Sequence, residues 1–140
     1  MRGQREASLA APFIRKRQAV ELVTKLVKSP LPVVPVKDLN ALLSDPCAVM
    51  PVFRAAGFLD GWAEAMPAVP ANTAGQTDDL NNTPSQLDRQ VDYVLHHDPG
   101  YLDAVPGSGA VMGGRLDDRT PSGLRPSDPG MALSLGIAKP

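Results

Sequence analysis

The chain has a single cysteine, Cys47, and only six aromatic residues among 140: three Phe, two Tyr and one Trp. One cysteine excludes an internal disulfide and a cysteine-rich zinc site, which points to a reducing compartment or an assembly built in one. Large rings usually supply much of a core's buried area, so their scarcity argues against a well-filled interior. No apolar run approaches the roughly 20 residues that span a bilayer. The longest, around 47–53, is broken by Pro51. The N-terminus lacks the apolar stretch of a secretory signal. It is Arg-rich like an organellar presequence, although Glu6 is unusual there.

What the chain has in quantity is 15 Pro and 12 Gly, nearly a fifth of all residues. That share approaches low-complexity composition. Ordering each residue costs roughly 1–2 kcal/mol, and mostly Ala, Val and Leu are available to offset it. The expected fold class is therefore mainly α with extensive irregular chain: short helices joined by Pro/Gly-rich extended segments, non-globular or supported by partners. Charge is also unevenly placed. Residues 1–37 hold eight basic side chains against Glu6 and Glu21, while the whole chain is at −1. Arg2, Arg5, Arg15, Lys16 and Arg17 form a basic arm suited to an anionic neighbour, either nucleic acid contacted non-specifically or acidic protein. With only Phe13 interleaved, base stacking is not indicated.

Residues 15–28 carry the clearest early helical pattern. Ala19, Leu22, Val23 and Leu26 follow the i, i+3, i+4, i+7 spacing, and Glu21 and Lys25 form a favourable i, i+4 pair. A helix this short is marginal alone, so the stripe Ala19, Leu22, Val23 and Leu26 is assigned to a partner. Residues 1–14 read as an irregular arm. Pro30, Pro32 and Pro35 then force a polyproline-like or edge-strand connector that exposes Val33 and Val34, either as a docking strip or as part of a stiff spacer. Short helices are expected at 39–43 behind Asp38, after Asp45-Pro46, over 51–56 with Gly57 as the stop, and over 62–66. The apolar residues from Leu39 to Trp62 make the candidate core.

Residues 67–82 read as a linker. Thr83-Pro84-Ser85-Gln86 fits a capping box with Pro at the first helical position, and Leu87, Val91, Val94 and Leu95 predict a helix over 84–97. Gly and Pro crowd 106–130, predicting extended chain, with a last helical turn at 131–135. The organisation expected is 1–36 arm, amphipathic helix and connector; 37–66 helical apolar cluster; 67–82 linker; 83–105 capped helix and turn; 106–140 extended tail with a short terminal helix.

Chemistry-bearing motifs are sparse. His96-His97-Asp98 is the one cluster of potential metal ligands in the sequence, but the two adjacent imidazoles diverge on a helix and no further His or nearby Cys completes a zinc site. They read as a solvated helix end. The glycines of 106–114 miss the dinucleotide fingerprint, since Met112 stands where its third glycine belongs. Asp78-Asp79 and Asp117-Asp118 lack an EF-hand pattern. No catalytic, cofactor-binding or metal residues are assigned, no cofactor is expected, and the chain is read as no enzyme.

A basic start, this length, DLN at 38–40, AGFLD at 56–60 and LGIA at 135–138 resemble the internal scaffolding proteins of small single-stranded-DNA phages; much of the middle does not match. The resemblance implies a virion role. From the residues alone, the function expected is a structural or assembly protein of a large complex, above all a virion, located there or in the cytoplasm, with a protein shell or other subunits as partners. The alternatives are an accessory subunit of an organellar complex or a partly disordered adaptor.

Overall fold

A computed structural model of the chain describes residues 2–40, 49–77, 79–81, 86–97, 102–125, 130–132 and 135–137, with side chains described between Phe13 and Arg125. It corrects the mainly α expectation. Among the described residues three α-helices combine with antiparallel strands in a mixed α/β arrangement. The helices are α1 (Arg2–Leu26), α2 (Val49–Ala55) and α3 (Gly61–Ala65). The strands are β1 (Val36–Asp38), β2 (Leu59–Asp60), β3 (Asp92–His96), β4 (Leu102–Ala104), β5 (Ala110–Met112), β6 (Gly130–Ala132) and β7 (Leu135–Ile137). They form a three-stranded sheet in the order β1-β3-β2 and two ribbons, β4-β7 and β5-β6.

The helices follow local chemistry. α1 contains the patterned stretch and runs back to Arg2, so the segment expected to be irregular is helical despite Pro12, which has no N–H to donate. α2 stops at Gly57, whose φ of +84° only glycine adopts cheaply. Asp60 caps α3, its carboxylate accepting from the N–H groups of Trp62 (3.1 Å) and Ala63 (3.4 Å). Among the described residues Asp38 caps no helix. It ends β1 and holds the backbone N–H of Asn40 at 2.7 Å, with Asn40 at φ +45°. The remaining expected helical turns between 41 and 48 lie outside the described residues.

The helix expected over 84–97 is instead the central strand β3. Tyr93 and Leu95 join Ala19, Val23, Val49, Met50, Phe53 and Phe58 in one buried cluster. Phe53 and Phe58 meet edge to face, centroids 5.4 Å apart. The alternate residues Val94 and His96 point to the other face, where α3 lies. With layers on both faces, Tyr93 to His96 are all buried, which erases the alternation that marks a strand. The spacing of Leu87, Val91, Val94 and Leu95 thus mimicked a helix. Residues 82–85, which include most of the capping box, lie outside the described residues.

Residues 71–75, in the stretch read as linker, hold β3's entry in extended form. Thr73 is fully buried, and its hydroxyl oxygen accepts from the backbone N–H groups of Val91 (3.2 Å) and Asp92 (3.1 Å). The N–H groups of Thr73 and Ala74 donate to the Arg89 carbonyl, and that of Asp88 to the Ala74 carbonyl. Next to them Gly75 sits at φ +124°, where an added Cβ would fall 2.6 Å from an Asp88 carboxylate oxygen.

The Gly-rich segment is likewise built in. Trp62 is 4% exposed, donates from Nε1 to the Val69 carbonyl at 2.7 Å, and lies against Gly109, where a Cβ would be 3.0 Å from the indole ring. Arg125, 2% exposed, donates to the Gly114 carbonyl at 2.9 Å, gathering the 113–115 backbone around a buried guanidinium. The final helical turn expected at 131–135 is replaced by β6 and β7.

Candidate functional site

The stripe assigned to a partner closes the chain's own core instead. Ala19 and Val23 are buried, and Leu22 and Leu26 pack against the same cluster. α2 lies across them, so the partner that this amphipathic face requires is intramolecular. The exposed apolar residues lie on a different line, which runs along α1 and into the turn after it, where the Val27 N–H still donates to the Val23 carbonyl at 3.0 Å: Phe13 at 70%, Val20 at 48% and Val27 at 40% exposure. They recur every seventh residue, which keeps them on one side of a helix. Ile14 is exposed next to Phe13.

Of the basic arm, Lys16 and Arg17 are exposed beside this line, as is Lys28. The Glu21 carboxylate accepts a hydrogen bond from Lys25 Nζ at 2.8 Å, which holds its pKa below the ordinary carboxylate value. Arg15 turns inward. It is half-buried and lines a cavity of about 230 Å³ between α1 and β1, with Gln18, Lys37, Asp38 and Asn40 at its polar rim. Arg2 and Arg5 lie on α1, but their side chains are outside the described residues. The outer face of α1 is therefore a cationic surface with an apolar line through it.

Val33 and Val34 part company. Val33 exchanges both backbone hydrogen bonds with His97, at 3.0 and 2.9 Å, and packs against the core. Val34 faces outward at 40% exposure. The pairing that begins at Val33 continues through β1 to Leu39, so the Pro-rich connector is an edge strand. Prolines are tolerated on edges because a missing N–H there need cost no ladder bond. Pro35 is the exception: it accepts from the Leu95 N–H at 2.9 Å and has none to return.

His96 and His97 do not end a helix in solvent. Both lie on or beside β3 and point to opposite faces. Buried His96 bonds through Nε2 to Glu64 Oε2 at 2.6 Å. The His97 ring lies against Phe58, centroids 4.9 Å apart. Among the described residues no group of three or more His, Cys, Asp or Glu side chains is placed to hold a metal ion. No described helix is long and apolar enough to cross a membrane.

Sequence reasoning missed the outer line of α1 because Val20 and Val27 look like a widening of the inner stripe. The seven-residue interval from Phe13 was the available signal. Thr73, Gly109 and Arg125 had no signal, since their roles depend on residues distant in sequence. No protein-family model matches the chain, and no curated protein or solved structure matches it.

Proposed function

We propose that this chain is a non-enzymatic structural component of a large protein assembly, and that the assembly is a virus particle in which the chain serves as an internal or scaffolding element. The observation that carries the reading is surface. A compact monomer of 14.8 kDa exposes about 7,000 Å² by size scaling. This chain exposes 9,041 Å². The excess, about 2,000 Å², is more than twice the roughly 800 Å² that one partner gives to a standard protein–protein interface. Large apolar side chains at 40–70% exposure are spread over it, among them Phe13, Leu31, Val36, Leu59 and Leu116. The outer face of α1, with Lys16, Arg17 and Lys28 beside Phe13, Val20 and Val27, supports an acidic protein shell as the neighbour in preference to bare nucleic acid, because phosphates make no use of the apolar line.

The test is recovery of the tagged chain from cells that make its natural neighbours, beside a Phe13→Ser, Val20→Ser, Val27→Ser variant. The wild-type chain should sediment with a large assembly and the variant should not, while both keep the same circular dichroism. Recovery of wild type solely as a free monomer refutes the proposal.

A further inference from the structure

The second face of β1 carries an inference of its own. Residues 33, 35, 37 and 39 turn their backbone groups toward β3. By the alternation of an antiparallel ladder, Val34, Val36 and Asp38 turn theirs away. Among the described residues β1 is the terminal strand of its sheet. Val36 is 69% exposed. Open, apolar sheet edges of this kind template further strand pairing, and natural proteins usually block them. The blocks are misplaced here. Pro30 and Pro32 lie upstream of the open stretch, and Pro35 spends its missing N–H on the inner side.

We propose that the outer edge of β1 pairs antiparallel with β1 of a second copy of this chain, about a two-fold axis through Val36. In that register Val36 faces its own counterpart and Val34 faces Asp38 of the other copy. All three outward N–H groups and all three outward carbonyls of each strand are then used. Lys37 stands opposite Pro35, so no like charges are opposed. The neighbouring registers are worse. Moving the pairing one step toward the N-terminus sets Asp38 against Pro32, which has no N–H. One step the other way sets Lys37 against Lys37 and calls on the Asn40 N–H, already held by the Asp38 carboxylate at 2.7 Å. A net charge of −1 leaves no long-range repulsion between copies. The product is a continuous six-stranded sheet with β2 at both ends. An isologous contact closes on itself, which ends growth at two copies.

The experiment is sedimentation equilibrium of the full chain from low micromolar to near-millimolar concentration, with Val36→Lys as the variant. Wild type should pass from one chain mass to two across this range. Val36→Lys, which sets two cations against each other on the axis, should stay at one with unchanged circular dichroism. In a Cys47→Ser background, Val36→Cys should give a covalent dimer on mild oxidation, because facing residues of a bonded antiparallel pair lie about 5.5 Å apart. Lys37→Cys should not. Wild type that remains monomeric at the highest concentration overturns the proposal, as does equal cross-linking of the two cysteine variants. The cross-linking pair decides the matter should Val36→Lys fail to fold. The outer face of α1 takes no part in this contact, so the serine variant of that face should still dimerise, and the two proposals fail separately.

Discussion

Replacing Thr73 with Val removes one oxygen atom, keeps the shape, and withdraws the acceptor on which two backbone donors depend. The Val91 and Asp92 N–H groups lie 3.2 and 3.1 Å from that oxygen. Thr73 is fully buried, so no water takes its place. A buried donor left without an acceptor costs about 1–3 kcal/mol. Val91 and Asp92 are half-buried, which puts each near the lower end. The pair should therefore cost about 2–3 kcal/mol. Thr73→Ser keeps the oxygen and gives up one methyl, worth about 1 kcal/mol. With a urea dependence of about 1–3 kcal/mol per molar, Thr73→Val should unfold at a midpoint about 1–2 M lower than wild type, and Thr73→Ser less than 1 M lower. Hydrogen exchange should locate the effect at the amides of Val91 and Asp92. Equal stability of Thr73→Val and wild type, or equal loss in both variants, would refute the claim that this hydroxyl fixes the entry to β3.

Phe53→Ala should destabilise the chain by about 3–5 kcal/mol, since Phe53 is 1% exposed and packs edge to face on Phe58; the loss of near-ultraviolet dichroism with heat would follow it. Burial pushes the Tyr93 phenol up to about 12, with the Asp60 carboxylate adding to the shift. An unfolded tyrosine ionises near 10, so the folded state holds the proton longer. The stability this contributes is complete below pH 10 and is lost as pH rises through about 12. An absorbance titration at 295 nm should find one of the two tyrosines ionising only there or upon unfolding.

The legible part of the fold was the part fixed within a few residues. Periodicity found α1 over 15–28, Gly57 marked the end of α2, and α3 falls on the turn expected around Trp62. Periodicity says that a helix face will be covered and says nothing of what covers it. Ala19 and Val23 were read as a partner's contact for that reason, although α2 covers them. β3 was hidden because a strand packed on both faces loses its alternating pattern, and its leucines and valines then fall at helical intervals by chance. The extended conformation is selected by Thr73, sixteen or more residues from the groups it binds. The Gly-rich segment was read as loose because composition records how many glycines a chain has and not whether a neighbour fills the space each leaves. Of the candidate surface, the cations Lys16 and Arg17 were legible from charge. The line of Phe13, Val20 and Val27 had to wait for the inner stripe to be occupied.

The chain's one indole sits where the turn leading to β5 comes down on α3, with Gly109 against its ring and Val69 holding its nitrogen. Any shift of that turn admits solvent to the ring and reddens its emission. Tryptophan fluorescence of the unlabelled protein is thus a built-in gauge of whether the glycine-rich segment around Gly109 is seated, and no second tryptophan in the chain obscures it.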